Sequence, residues 1–161
     1  MNDIALTKIS ELVGIRKSLK QKMEKVVFTN GCFDIIHAGH VDYLSKAKAC
    51  GDILIVGLNS DSSVREIKGK NRPIVSENER AFILSQLKPV DYVVLFNEPT
   101  PLQLIEQLIP DVLVKGADWA KENIVGREIV ESNGGEVITI NFITDQSTTN
   151  IIERVLATYN G

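Results

Sequence analysis

The stretch Val26–Lys48 reads VVFTNGCFDIIHAGHVDYLSKAK. Its β-branched apolar start, Val26 to Asn30, predicts a strand, and Gly31 opens a turn. After His37-Ala38-Gly39-His40, the residues Val41, Leu44 and Ala47 recur at helical spacing. A loop of this kind delivers backbone N–H groups and two imidazoles to a helix start. Unpaired amides and the helix dipole both favour an anion there. A nucleotide phosphate is the expected anion.

Working outward, Asp52 to Asn59 (DILIVGLN) predicts a second strand buried on both faces, because its apolar residues do not alternate with polar ones. The helix between the two strands makes a right-handed parallel βαβ unit, and Gly51 sits where a helix C-cap favours glycine. Upstream, residues 4–22 place Ile9, Leu12, Val13 and Leu19 on one helical face, with Lys8, Arg16, Lys17, Lys20 and Lys22 largely on the others. That predicts an amphipathic helix within residues 1–24, packed on the edge of a domain spanning 25–161 or on a second subunit.

Downstream, Ser60 to Pro73 is a polar segment with Lys68, Lys70 and Arg72 around Gly69. It is either a solvated charge cluster or a basic loop that closes over phosphates. Ser76 and Glu79 form a capping box that opens a helix to about Leu87. Val90 to Phe96 gives a third strand. Thr100-Pro101 supplies an N-cap and a first-turn proline for a helix to about Leu108, and Asp111 to Lys115 gives a fourth strand. A weaker helix over Asn123 to Ser132 precedes a fifth strand, Glu136 to Phe142. Ser147-Thr148-Thr149 then begins a last helix whose inner face is Ile151, Ile152, Val155 and Leu156.

Strands alternating with helices predict an α/β fold, a Rossmann-like doubly wound five-stranded parallel sheet in a single domain. Ligands of such sheets bind beyond the carboxyl ends of the strands. Gly31 to His40, Asn59 to Asp61, Lys115 to Trp119 and Ser147 to Thr149 should converge there.

Composition narrows the partners. The chain has 161 residues, 43% hydrophobic and 24% charged, and a net charge of −3, which gives no basic footprint for nucleic acid. Two cysteines without metal-finger spacing fit a reducing cytoplasm better than secretion. No leader pattern is visible and no apolar run approaches the roughly 20 residues that cross a bilayer, so no membrane partner is expected.

The chain has only two histidines, His37 and His40, spaced to point into one space. They can hold a metal, form a buried structural pair, or contact phosphate oxygens whose charge grows during transfer. Gly39 leaves room for close ligand approach. Cys32 should contribute backbone rather than thiol chemistry. Asp34 either stabilises the loop or touches ligand, Ser147 to Thr149 either hold phosphate or cap a helix, and Trp119 either joins the core or flanks a nucleotide. Neither GxGxxG nor GxxxxGK[ST] is present, which disfavours dehydrogenase and P-loop readings.

Gly31-Cys32-Phe33-Asp34-Ile35-Ile36-His37-Ala38-Gly39-His40 resembles the GxFDxxHxGH signature of the HxGH nucleotidyltransferases. Further segments match in order and spacing: Gly57 to Asp61, Lys68-Gly69 with Arg72-Pro73, Glu79-Arg80, Val114 to Gly116, and Ser147 to Ile152. From Lys25 to Leu156 the chain is similar to the adenylyltransferase domain of the bacterial ADP-heptose synthesis enzymes.

The resemblance implies transfer of AMP from ATP to heptose 1-phosphate, with ATP and a sugar 1-phosphate as partners. It assigns His37, His40 and Lys68 to catalysis. Gly31, Cys32, Phe33, Gly39, Lys115, Ser147, Thr148 and Thr149 fall to the nucleotide, and Asn59, Asp61 and Arg72 to the acceptor. Mg²⁺ would be carried mainly by ATP phosphates, with no protein metal site, and a homodimer is the expected assembly. Some heptose enzymes fuse this domain to a sugar kinase, so the chain resembles the stand-alone transferase. Gly116-Ala117-Asp118-Trp119 departs from the Gly-Gly-Asp-Tyr form of the heptose group toward the Gly-Asp-Asp-Trp form of glycerol-phosphate cytidylyltransferases. A CTP-dependent enzyme for a small alcohol phosphate is therefore the alternative, and a non-catalytic nucleotide-binding module a remoter one. The HxGH pattern also occurs in aminoacyl-tRNA synthetases, but no basic surface or anticodon-binding region accompanies it.

Overall fold

The computed structural model describes residues 6–118, 120–142 and 147–159. Among them, five parallel strands form one sheet: β1 (Val26–Gly31), β2 (Ile53–Asn59), β3 (Tyr92–Phe96), β4 (Val112–Gly116) and β5 (Glu136–Ile140), in the order β3-β2-β1-β4-β5. The order reverses between β1 and β4, and this switch point is where a doubly wound sheet opens a crevice. The expected fold class is borne out.

The helices are α1 (Ile9–Gln21), α2 (Ala38–Lys48), α3 (Asp61–Lys68), α4 (Glu77–Ser85), α5 (Leu102–Leu108), α6 (Arg127–Ser132) and α7 (Thr148–Tyr159). Strand alternation sends residues to two cores. On one face Val27, Val56, Leu58, Val112 and Val114 pack with Leu44 and Ala47 of α2 and with Ala81 and Leu84 of α4. On the other, Phe28, Ile55, Leu113 and Val137 pack with Leu12 and Leu19 of α1, Leu104, Ile105 and Leu108 of α5, and Val130 of α6. The central strands are buried on both faces, which is why Ile53–Asn59 shows no polar alternation.

Several local expectations need correction. Arg16 is not on the outer face of α1 but buried, donating to the Leu108 and Ile109 carbonyls and to Asp111 Oδ1 at 2.8 Å. It fastens α1 to the domain edge. Gly51 does not cap α2 with a left-handed turn. Its role is space, since a Cβ there would lie 2.7 Å from Val27 Cγ2 and 2.9 Å from the Lys25 carbonyl oxygen.

The segment from Ser60 to Pro73 is not all loop. It contains α3, started by Ser60 Oγ accepting from the Ser63 amide at 3.2 Å. Its polar composition hid the helix, because Val64 is the one apolar side chain it buries. The helix expected from Asn123 is a 3₁₀ turn at Lys121–Asn123 followed by the shorter α6. Gly126 separates them at φ +85°, packed too closely on Ile105 for any Cβ. Pro101 caps α5 rather than filling its first turn. On α7, Val155 and Leu156 stay about half exposed, so the expected inner face is covered only at Ile151 and Ile152. The capping box at Ser76 forms as expected, with the Glu79 carboxylate accepting from the Ser76 amide and hydroxyl.

No helix among the described residues is long and apolar enough to cross a membrane.

Candidate active site

The loop between β1 and α2 is fixed by three side chains. Phe33 takes φ +46°, a left-handed backbone rare for a residue with a Cβ, and buries its ring edge-on against His40 at 5.3 Å. Asp34, also buried, accepts from the Ile74 and Val75 amides at 2.8 Å each and from Arg72 Nε at 2.5 Å. Burial alone would push its carboxyl up, but these bonds outweigh it and hold the group below its ordinary value. Of the two roles open to Asp34, the structure shows the loop-stabilising one. It hooks the segment after α3 onto the HxGH loop and orients the Arg72 guanidinium.

Arg80 is the second tie. Fully buried on α4, it donates to the carbonyls of Val75 (3.0 Å), Cys32 (2.5 Å) and Asn59 (2.9 Å) and pairs with Asp61 Oδ1 at 2.7 Å. One guanidinium thus gathers the ends of β1 and β2 and the start of α4. Sequence reasoning quoted Arg80 only as part of a match. The available signal was its place beside Ala81 and one turn before Leu84, on the buried face of a capped helix.

α2 starts at Ala38 with His37 as N-cap and no side-chain cap; the His40 amide donates to the His37 carbonyl at 3.0 Å, which leaves the amides of Ala38 and Gly39 as the ones to meet an anion. The two imidazoles stack at 3.8 Å with 26° between planes. The Nδ1 atoms of both are buried without a hydrogen-bond partner. Burial, and secondarily the adjacent His37, lowers His40 to about 4, and burial lowers His37 as well. A stacked pair that is neutral at pH 7 is poised to donate hydrogen bonds and gain charge as a polyanion arrives.

These elements surround a cavity of about 460 Å³ at the carboxyl edge of the sheet. Of the residues expected at the site, Gly31, Cys32, Phe33, His40, Asn59, Lys68, Arg72, Lys115, Ser147, Thr148 and Thr149 line it. His37 does not line it but stacks on His40, Gly39 is buried in the first turn of α2, and Asp61 is committed to Arg80. Trp119 lies outside the described residues. Ser147 Oγ caps α7 by accepting from the Asn150 amide at 3.0 Å, while Thr148 is buried.

Unanticipated lining residues include Asn30, Tyr43, Ile67, Pro99, Thr100, Pro101, Ile124, Val125 and Phe142. Phe142 is half exposed and stacks on Tyr43 at 5.4 Å. Cys32 carries a thiol pushed up by burial, against the opposing pull of Lys68, Arg80 and Arg72, so it stays protonated and weakly nucleophilic at pH 7. Among the described residues no group of three or more His, Cys, Asp or Glu could hold a metal.

This site geometry coincides with a family match over residues 28–154, to Cytidylyltransferase-like. The chain belongs to the cytidylyltransferase-like family. As a member it is an enzyme of the nucleotidyltransferase class. It is 52% identical over 158 residues to the bifunctional protein HldE of Geobacter metallireducens, covering 98% of this chain and 32% of that one. The HldE of Citrifermentans bemidjiense is 59% identical over 136 residues, 84% of this chain and 28% of that one. The HldE of Helicobacter pylori is 52% identical over 153 residues, 95% and 32%. The chain thus spans about a third of the length of these curated relatives.

Among solved structures, a lipopolysaccharide core biosynthesis protein from Thermoplasma volcanium superposes with a TM-score of 0.63 at 30% identity, covering 76% of this chain and 99% of that one. The pantoate-beta-alanine ligase of Francisella tularensis, at 18% identity and TM-score 0.61 over 89% of this chain and 69% of that one, shares the fold.

Proposed function

We propose that this cytidylyltransferase-like chain is an adenylyltransferase that joins ATP and heptose 1-phosphate to give ADP-heptose and pyrophosphate. The observation that carries the reading is the neutral, stacked His37–His40 pair at a helix start without a side-chain cap, with His40 lining a cavity that Lys68 and Arg72 also line. Identity above 50% to HldE proteins over nearly the whole chain supports the heptose assignment.

In the proposed reaction an oxygen of the sugar phosphate attacks the α-phosphorus of ATP. The bond to the bridging oxygen of pyrophosphate breaks, and its electron pair leaves with pyrophosphate. The attacking phosphate is already anionic, so no general base is needed. The chain contributes positioning and charge stabilisation. His40, supported by His37, donates to oxygens that gain charge in the transition state. The start of α7, with Thr148 and Thr149, receives the terminal phosphates. Lys68, at the end of α3, approaches the transferred phosphate. Arg72, held by Asp34 through Nε, turns its fork toward the acceptor phosphate. A Mg²⁺ ion carried by the triphosphate would be held chiefly by phosphate oxygens and water and would neutralise phosphate charge. Of the two carboxylates lining the cavity among the described residues, Asp34 is committed to the loop, so Asp118 is the one that would contribute to holding the ion.

Pyrophosphate release with Mg²⁺, with ATP and CTP each against heptose 1-phosphate and glycerol 3-phosphate, tests this reading. Release with ATP and heptose 1-phosphate alone is expected. Release only with CTP would replace the substrates and keep the reaction type, and silence in every pair would overturn the proposal.

A further inference from the structure

Backbone pairing between the two central strands stops early. Val27 lies opposite Val112 and Phe28 opposite Leu113, and there the β1–β4 register ends, although β1 follows β2 to Gly31 and β4 follows β5 to Gly116. Beyond that point side chains bridge the gap. On one face Tyr43 Oη shares a 2.8 Å hydrogen bond with Thr29 Oγ1 and donates to the Val114 carbonyl at 3.3 Å. On the other, Lys115 Nζ donates to Asn30 Oδ1 at 2.5 Å.

Alternation fixes which face is which. Asn30 continues the side of Val26 and Phe28, and Lys115 the side of Leu113, the core covered by α5 and α6. His40 and Tyr43 stand on α2, over the opposite face. The cavity therefore has two lobes astride the sheet edge. The lobe opposite the histidines has Asn30 and Lys115 for its floor and Pro99, Pro101, Ile124 and Val125 for its walls.

The floor itself offers donors, with the Asp118 carboxylate near Lys115. An ammonium is a donor only, and accepting from Lys115 orients the Asn30 amide so that its N–H groups are what it offers elsewhere. Burial lowers the Lys115 ammonium to about 8, with Asp118 and Cys32 opposing, so at pH 7 it is still mainly charged. We propose that Lys115, with Asn30, determines which acceptor the enzyme takes, admitting a hydroxyl-rich sugar phosphate and refusing phosphate esters that carry a cationic head group. A second positive charge brought against the Lys115 ammonium meets repulsion, whereas hydroxyl and phosphate oxygens meet donors. The inference rests on the nucleotidyl-transfer reading, which places the leaving pyrophosphate on the His40 and α7 side and brings the attacking oxygen in from opposite it. It moves Lys115 from the nucleotide to the acceptor.

The test compares full-length wild type with Lys115→Met and Lys115→Gln, using heptose 1-phosphate and phosphoethanolamine as probes. Calorimetric binding is measured with a non-hydrolysable ATP analogue present, and pyrophosphate release is followed in parallel. Wild type should bind the sugar phosphate and not phosphoethanolamine. Either variant should raise the acceptor KM by about tenfold or more with a smaller change in kcat, keep ATP-analogue affinity within about threefold, and narrow the gap between the two probes. Retained analogue binding shows that the variants fold. A rise confined to the ATP KM, or a wild type that binds phosphoethanolamine as well as the sugar phosphate, overturns the inference while leaving nucleotidyl transfer intact. Selective sugar-phosphate binding that depends on Lys115, without pyrophosphate release from any pair, overturns the reaction and keeps the acceptor assignment.

Discussion

At the scale of single residues, the proposed transfer adds neutral imidazoles to the cations Lys68 and Arg72 that line the same cavity. The value of the imidazoles should therefore appear where charge grows, not where ATP merely binds. His40→Ala is expected to lower kcat roughly 10²- to 10³-fold, the range seen when one donor to a developing anion is removed, with the ATP dissociation constant changed by less than about threefold. Rapid-quench turnover and calorimetric ATP binding separate the two effects, and equal losses in both would show that His40 acts on the ground state.

The signature residues were legible because the HxGH loop is local: strand, turn and helix start follow one another in sequence. Arg80 and Arg16 were not, because what buries them lies elsewhere in the chain. Arg16 takes carbonyls of Leu108 and Ile109 and the carboxylate of Asp111, and Arg80 takes Cys32 and Asn59, none of which its own neighbours disclose. The same holds for Lys115, which meets Asn30 only because β1 and β4 are neighbours in the sheet.

Among elements, two attachments are separable. The segment after α3 hangs on Asp34, which alone satisfies the Ile74 and Val75 amides and the Arg72 Nε. Asp34→Ala should raise hydrogen exchange at the Ile74 and Val75 amides by about tenfold or more while β5 amides keep their protection, because the release is local. Unchanged exchange at those two amides would mean that the loop is held by something else. α1, by contrast, is attached far from the cavity. Arg16→Met removes the pair with Asp111 and the bonds to two carbonyls, and should cost about 1–3 kcal/mol, discounted because Asp111 is partly exposed. Urea unfolding reads this loss. Because Arg16 does not line the cavity, KM for both substrates should stay at wild-type values. Helix existence was readable from apolar periodicity at α2 and from the capping box at α4. It failed at α3, where one buried valine carries the packing and the cap hydroxyl reads as one more polar residue.

For the whole molecule, a doubly wound parallel sheet was implied by alternation alone, but the strand order and the opening between β1 and β4 were not, since they depend on which strands pair and where pairing stops. The loop after β1 and the start of α2 bury two titratable groups, and their shifts give the molecule an acid-sensitive stability. His40 is held down to about 4 from an ordinary 6.5, chiefly by burial. As pH falls through that window the unfolded chain binds the proton first, so stability falls from about pH 6.5 to about pH 4 and then levels. At 1.36 kcal/mol per unit this amounts to at most about 3 kcal/mol. Asp34 is held below its ordinary 3.8 by the Val75, Ile74 and Arg72 bonds despite burial. Its contribution is present above that value and is lost only as pH falls further, through the folded-state pKa.

The two groups therefore act in adjacent windows and in the same direction. Denaturant midpoints of wild type should decline on acidification in both. His40→Gln should flatten the difference above pH 4, and Asp34→Asn the difference below it. Other carboxylates contribute to the wild-type slope, so the measurement is the difference between each variant and wild type at matched pH. An unchanged slope between pH 6.5 and 4 in His40→Gln would place the acid sensitivity elsewhere. ATP supplies the counter-test: a polyanion beside His40 favours its charged form, so binding in this window should take up protons. Calorimetry in buffers of different ionisation enthalpy would detect that uptake in wild type, and it should shrink in His40→Gln.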